Sequence, residues 1–310
     1  MANTHSRDHS LWATLKRTVA EFRDDNLSDW AAALTYYGLL SLFPMLIALV
    51  SIVGLFGDPK STTSTVTDIV TRIGPESGAD TFAGPIRSIT SHRSSAGILF
   101  VLGVATALWS ASGYVGAFIR ASNAIYETEE GRPFWKLRPL QVAVTFVMVV
   151  LVAMVLLALV LTGPIVRAVA DPIGVGSTAV DIWNFAKWPI LAALFILMID
   201  LLYYASPNAK LRGFVWLTPG AVLALGLWAL ASAGFALFVA NFGSYDKTYG
   251  TLGGVVVLLV WMWITNVAIL LGHELNAERE RSAELAEGVP EAEQEIQLEP
   301  REEPDSGEEA

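Results

Sequence analysis

Five long stretches of this 310-residue sequence contain no Asp, Glu, Lys or Arg, and they restrict the fold more than any other feature. They cover residues 30–57, 94–119, 139–166, 213–245 and 248–272, and each is at least 25 residues long. A helix rises about 1.5 Å per residue and the hydrocarbon core of a bilayer is about 30 Å thick, so roughly 20 residues can cross it. The sequence therefore predicts five transmembrane helices.

A sixth segment, 182–204, is apolar except for Lys187 and Asp200 near its ends. Twelve apolar or proline residues separate these two charges, so each side chain can reach one membrane interface. We therefore predict an all-α, polytopic membrane bundle of six transmembrane helices with additional interfacial amphipathic helices. The predicted spans are about 31–57, 95–119, 141–166, 182–204, 214–241 and 249–275, within a transmembrane domain of residues 30–276.

The distribution of Lys and Arg predicts the orientation of these spans. Six spans place both termini on one side of the membrane, and basic residues concentrate in the segments on that side: Arg7, Lys16, Arg17, Arg23, Arg132, Lys136, Arg138, Lys210, Arg212, Arg279 and Arg281. The positive-inside rule then predicts a cytoplasmic N-terminus and C-terminus in the cell (inner) membrane. The first apolar run is too long for a cleavable signal peptide, so we expect it to stay as the first span.

The segments outside the spans have patterns of their own. Residues 1–29 form a predicted cytoplasmic segment in which Leu11, Leu15, Val19 and Phe22 share one helical face. This pattern fits an interfacial helix on the membrane, and it equally fits an amphipathic helix packed on protein.

The outer loop and the C-terminus differ strongly in charge. The outer loop, 58–94, repeats apolar residues with helical spacing and predicts two short interfacial helices. Residues 277–310 hold 13 acidic and 3 basic residues, which accounts for the whole net charge of −10. We predict this segment as an acidic, disordered cytoplasmic tail. The neutral remainder offers no basic surface for nucleic acid.

Small residues predict where helices pack closely. Gly103, Ala107 and Ala111 form one stripe, and Gly220 with Ala224, followed by Ala229 with Ala233, forms another. The same pattern is compatible with a homo-oligomer. Pro44 and Pro219 fall inside predicted spans, where proline can kink a helix.

Three strings resemble one protein family. They are AAALTYYGLLSLFP (31–44), LWSASGYVGAFIRASNAIYE (108–127) and YGTLGGVVVLLVWMWITNVAILLGHELNAE (249–278). Together they are similar to the YihY/BrkB family of UPF0761-like inner-membrane proteins, which were formerly labelled ribonuclease BN. The resemblance covers about residues 10–280 and implies six helices. His273 is a departure, because the family usually has a small residue before the glutamate.

Enzymatic activity is not expected from these residues. The four histidines form no HxH motif, and the HxxxH spacing of His5 and His9 lies in the N-terminal segment outside every predicted span. Neither a paired-carboxylate motif nor a GxxxxGK[ST] phosphate loop is present. The chain has no cysteine. We therefore expect no catalytic residue, no cofactor, no metal and no ATPase of its own.

Polar groups at membrane depth are the candidate transport or gating residues. Arg120 with Asp200 or Glu274 could form an inner gate or an ion relay, or a structural ion pair. Asn266 could contact a substrate or bond to another helix. Tyr245 and Tyr249 could shape an entrance or anchor at the interface. The full candidate set is Tyr36, Tyr37, Pro44, Ser110, Arg120, Asn123, Asp200, Tyr245, Tyr249, Asn266, Glu274 and Asn276.

The sequence thus predicts a transporter or exporter of a small solute or lipid. The alternative is a non-transporting membrane scaffold in envelope assembly, and a membrane-bound ribonuclease is disfavoured. The expected partners are membrane lipids and an unidentified small-molecule or lipid substrate, without nucleic acid.

Overall fold

A computed structural model describes residues 11–56, 96–160, 176–241 and 251–304. Within these ranges the named elements are all helices, which confirms the all-α fold class. The α-helices are α1 (Leu11–Asp24), α2 (Leu27–Phe56), α3 (Ala96–Ile125), α4 (Phe134–Val160), α5 (Gly176–Ala205), α6 (Pro219–Asn241) and α7 (Thr251–Glu287), followed by a short 3-10 helix, Pro290–Glu293.

Four of the described helices contain a stretch that is long and apolar enough to cross a membrane. These stretches are Phe134–Leu159, Val180–Ala205, Pro219–Val239 and Gly253–Glu287. Helices α2 and α3, each 30 residues long, occupy the positions of the first two predicted spans. The count of six spans stays a prediction. The outer-loop helices predicted within 58–94 lie outside the described residues.

Helix α6 begins at Pro219, so this proline does not kink a span that starts at residue 214 as the sequence suggested. Thr218 precedes it, and the Thr218 hydroxyl accepts a hydrogen bond from the Ala221 N–H at 3.2 Å. A threonine cap followed by proline in the first helical position is a favourable helix start, since proline has no N–H to leave unpaired there. Leu217 has a φ of 68°, which ends the preceding extended segment. Pro44 does lie inside α2.

The chain divides into two compact units. Unit 1 comprises Met1–Tyr36, Gly116–Arg138 and Phe195–Ala310, and unit 2 comprises Tyr37–Val115 and Pro139–Leu194.

In unit 2, small residues of α3 pack against α4. Ala107 and Leu108 form a buried cluster with Val149. Ala111 is buried as well, whereas a side chain at Gly103 would meet open space. Of the small residues predicted to pack closely, Ala107 and Ala111 are therefore buried and Gly103 is not.

In unit 1, helices α6 and α7 approach each other at two glycines. A Cβ atom on Gly220 would overlap the carbonyl oxygen of Gly272. Ala224 is buried beside this contact, but Ala229 and Ala233 are exposed. The first predicted pair of small residues thus lies at a helix–helix contact, and the second pair does not.

The C-terminal segment differs from the disorder expected for residues 277–310. Helix α7 continues to Glu287, and the chain beyond it packs on unit 1 through the buried residues Ala292 and Ile296. Arg301 donates hydrogen bonds to the carbonyl oxygens of Ala209 (2.9 Å) and Tyr204 (2.6 Å). Acid-rich composition did not predict this order, because the partners of these groups lie far away in the sequence.

Helix α1 packs on α7 with its polar face. Thr14 and Thr18 are buried, and Arg17 pairs with Glu278 of α7 at 2.8 Å. The apolar side chains of Leu15 and Val19 are instead exposed, together with Trp12. Helix α1 therefore packs on α7, but not through its apolar face. Contact of that face with a membrane stays a prediction.

Candidate functional site

Unit 1 contains a pocket of about 260 Å³ at the C-terminal end of α5, which we call the α5–α7 pocket. It is lined by Tyr126, which follows α3, and by residues of α5, the 211–218 loop, the start of α6 and α7. The side chains that matter for its chemistry are Tyr126, Asp200, Tyr203, Arg212, Asn276 and Arg279.

Asp200 holds the start of α6. Its carboxylate accepts hydrogen bonds from the Leu217 N–H (2.7 Å), the Thr218 N–H (3.4 Å) and the Thr218 hydroxyl (2.5 Å). A carboxylate also interacts favourably with the positive end of a helix dipole. Asp200 is 1% exposed, and these three contacts explain how its charge is tolerated.

Asn276 completes the same arrangement from α7. Its side-chain oxygen accepts from the Gly220 N–H at 2.9 Å, and its amide group donates to the Thr218 hydroxyl at 3.0 Å. Two candidate residues from different spans, Asp200 and Asn276, therefore meet at one helix start. The N–H groups at Leu217, Thr218 and Gly220 are already paired and not left for a ligand.

Of the two acids suggested as partners of Arg120, Asp200 is engaged at the start of α6. Arg120 itself is exposed. Glu274 is 1% exposed, and its Oε2 atom has no hydrogen-bond partner in the described part of the chain. The charges that act on it are those of Asp25, Glu278, Glu21 and Arg281.

A network of charges links α1, α7 and the turn that follows α3 in unit 1. The buried carboxylate of Glu278 lies between Arg17 (2.8 Å) and Arg281 (2.7 Å). Arg281 also reaches Glu127 at 3.0 Å. Sequence analysis missed this network, although the i, i+3 spacing of Glu278 and Arg281 on one helix was a signal for part of it.

Asp25, in the turn between α1 and α2, is near this network. Burial, together with the negative charges of Glu21 and Glu127, raises the pKa of the Asp25 carboxyl to about 6. A carboxyl in this position changes its protonation state close to physiological pH.

Asn123 belongs to a second polar cluster that holds two loops of unit 1 together. It donates to Glu130 at 3.0 Å and accepts from the Asn208 N–H at 2.8 Å. Arg132 pairs with Glu130 at 2.7 Å. Burial alone would raise the pKa of Glu130, but the hydrogen bonds and charge of Arg132 outweigh it and lower the pKa.

His273 is fully buried among aromatic side chains of unit 1. Its ring stacks on Tyr203 at a centroid distance of 4.3 Å and on Phe118 at 5.7 Å. Its Nε2 atom lies 2.6 Å from the Ser122 hydroxyl. The sequence marked this histidine only as a departure from the family pattern and did not reveal that it is buried among aromatic side chains.

The remaining candidates are dispersed. Asn266 donates to the Thr35 hydroxyl of α2 at 3.1 Å, which agrees with the interhelical interpretation of this amide. Tyr36 and Ser110 are exposed, and Tyr37 is half-buried. Tyr245 and Tyr249 lie outside the described residues. No group of three or more His, Cys, Asp or Glu that could hold a metal ion is found in the described ranges.

Comparison with known sequences identifies the family. A model of the family described as virulence factor BrkB matches residues 18–296. The chain belongs to the BrkB family. No solved structure gives a significant match.

Related proteins match this BrkB chain over most of their length. The ribonuclease-like protein YfkH of Bacillus subtilis (strain 168) is 31% identical over 260 residues, or 84% of this chain and 92% of the relative. A UPF0761 membrane protein of Aeromonas salmonicida is 25% identical over 284 residues, or 86% and 90%. The chain is therefore a membrane protein of the BrkB/UPF0761 family, and the YihY/BrkB resemblance found in its sequence is confirmed.

Proposed function

We propose that this protein is a transporter or exporter of a small solute or lipid, without an ATPase of its own. The observation that carries this proposal is the α5–α7 pocket, which brings polar side chains together at the end of long apolar helices. Concave sites with a few convergent polar groups are typical of small-molecule binding. A helix bundle packed without such a pocket would favour the scaffold alternative instead.

The position of the pocket along its helices supports substrate entry from one side. It lies at the end of α5, next to the basic residues Lys210 and Arg212 and to the ordered C-terminal segment. By the positive-inside rule this end is cytoplasmic, in the cell membrane, with both termini on the same side. We therefore propose that substrate enters the pocket from the cytoplasm, among membrane lipids as the surrounding partners.

A catalytic role is not part of the proposal. The ribonuclease-like name belongs to the Bacillus relative. In the pocket of this chain, the carboxylate of Asp200 is occupied by three hydrogen bonds that hold α6, so it is poorly placed for acid–base chemistry.

The experiment that tests transport fills the pocket. Ala283 lines it and Ala286 is an exposed residue of the same helix, so Ala283→Trp and Ala286→Trp are matched variants. A deletion strain is complemented with the wild type or with either variant, and small molecules and lipids are profiled in cells and medium. Immunoblots of membranes confirm equal amounts of protein.

If the protein is a transporter, the amount of at least one compound should change in both the deletion strain and the Ala283→Trp strain. The wild-type and Ala286→Trp strains should not show this change. Identical content and leakage in all four strains would contradict transport. If the deletion strain then showed an envelope defect alone, the scaffold alternative would replace it.

A further inference from the structure

The charged side chains around the α5–α7 pocket differ in how many ion pairs and hydrogen bonds they form within the protein. Arg212 pairs with Glu280 at 3.2 Å and with Glu287 at 2.8 Å. Asp200 is bound to the start of α6, as described above. Arg279 also lines the pocket and is exposed, and it forms no ion pair or hydrogen bond with any described residue. Its charge acts on the nearby carboxylate of Glu280, but the hydrogen-bond donors of its guanidinium group remain available to a ligand in this pocket.

Tyr126 supplies a second donor to this pocket. Its side chain is 3% exposed and its ring packs against His273 at a centroid distance of 5.3 Å. Its hydroxyl has no hydrogen-bond partner in the described part of the chain. Because Tyr126 lines the pocket, its hydroxyl is placed to donate a hydrogen bond to an acceptor oxygen of a ligand there.

An apolar surface continues directly from the pocket. Phe214, Val215, Trp216 and Leu217 are consecutive, and all four are between 46% and 60% exposed. Val215 also lines the pocket, and Phe214 packs edge-to-face on Tyr204 of the pocket wall at 5.5 Å. Four adjacent exposed apolar side chains beside a polar pocket form a surface suited to an amphiphile.

We propose that the α5–α7 pocket binds a phosphate-ester headgroup, with Arg279 and Tyr126 as donors to the phosphate oxygens and the 214–217 surface against the acyl chains. Guanidinium groups match phosphate geometry through two parallel hydrogen bonds. A volume of about 260 Å³ accommodates a headgroup rather than a whole lipid. This inference rests on the proposed transport function and names its substrate class as phosphate-bearing lipids.

The test is equilibrium binding to the purified full-length protein in detergent, measured by native mass spectrometry. The probes are phosphatidylglycerol, diacylglycerol with the same acyl chains, and glycerol 3-phosphate. Arg279→Gln and Tyr126→Phe remove the proposed donors. Arg23→Gln changes an exposed arginine of α1 that does not line the pocket, and Trp216→Ala changes the apolar surface alone.

Phosphatidylglycerol is expected to bind more tightly than diacylglycerol, and Arg279→Gln is expected to lower its affinity about tenfold, as for a lost charge-assisted hydrogen bond. Tyr126→Phe lowers it less, and Arg23→Gln leaves it unchanged. Weakening by Trp216→Ala identifies a lipid ligand. The alternative result is that glycerol 3-phosphate binds in a way that depends on Arg279 and is not affected by Trp216→Ala. That result supports a phosphate site for a soluble ligand and overturns the lipid assignment.

Two results would overturn the proposal. One is an equal effect of Arg279→Gln and Arg23→Gln on binding. The other is that phosphatidylglycerol binds no more tightly than diacylglycerol while glycerol 3-phosphate does not bind. These outcomes are separate from the transport question. If binding depends on Arg279 but the deletion strain shows no altered compound, the phosphate site stands and transport is contradicted. If the deletion strain shows an altered compound but no phosphate compound binds, transport stands and the phosphate site is contradicted.

Discussion

The two units of this protein use different means to hold their helices. Unit 1 contains the ion pairs described above, the buried His273 with its aromatic neighbours, and the capped start of α6. Unit 2 packs small and apolar side chains such as Ala107, Leu108 and Val149. Directional polar contacts depend on each partner being present, whereas apolar packing between membrane helices tolerates small changes. Single substitutions should therefore have larger effects in unit 1.

The largest effect is expected for Glu278→Ala in unit 1. This substitution leaves the guanidinium of Arg281, whose side chain is 5% exposed, with Glu127 as the one acid of its two ion pairs that remains. Removing one partner of a buried ion pair costs about 3–5 kcal/mol in the free energy of unfolding. Denaturation of the purified protein in detergent measures it. Glu299→Ala, in an exposed pair with Lys210, is the control and should change nothing measurable. A similar small effect of both substitutions would show that the network does not stabilise unit 1.

The next effect is expected at the contact of α6 with α7. Gly220→Ala places a methyl group against the Gly272 carbonyl and should destabilise the protein by about 1–3 kcal/mol. Gly226→Ala, on the same helix, meets open space and should be neutral or slightly stabilising. Melting temperatures in detergent compare the two. Equal melting temperatures would mean that the two helices are not in close contact.

A pH-dependent effect is expected at Asp25. Because its folded-state pKa of about 6 lies above the ordinary aspartate pKa of 3.8, ionisation of this carboxyl opposes folding. The penalty is absent below about pH 4, grows between pH 4 and 6, and is complete above pH 6. Asp25→Asn should therefore be more stable than the wild type at pH 7.5, by less than about 1 kcal/mol because solvent screens a half-exposed group, and equally stable at pH 4. Asp181→Asn, an exposed site, provides the comparison. A difference that does not depend on pH would refute this assignment.

The smallest effect is expected in unit 2. The Ser41 hydroxyl donates to the carbonyl oxygens of Tyr37 (2.7 Å) and Ala111 (3.1 Å). Hydrogen bonds between membrane helices contribute about 0.6 kcal/mol on average, so Ser41→Ala should cost about that much. Ser110→Ala, at an exposed position, should cost nothing. A loss for Ser41→Ala as large as that for Glu278→Ala would remove the distinction between the units.

The helices were predictable because hydrophobicity is a local property of the chain. Asp200 and Asn276 were also recognised, since polar groups at membrane depth need partners. Their role was not, because it depends on Thr218, a loop residue whose hydroxyl bonds to both. Composition favoured disorder after residue 277, where order instead comes from contacts such as that between Arg17 and Glu278, 261 residues apart. Such pairings cannot be read from local pattern.

The most direct test of this account is the side of the membrane from which the α5–α7 pocket is reached. The chain has no cysteine, so Ala283→Cys introduces a single thiol on the pocket wall, and Ser64→Cys introduces one in the predicted outer loop. A membrane-impermeant maleimide should label Ala283→Cys in inverted vesicles but not in intact spheroplasts, and Ser64→Cys should show the opposite pattern. Labelling of Ala283→Cys from outside intact spheroplasts would contradict a pocket that takes its substrate from the cytoplasm.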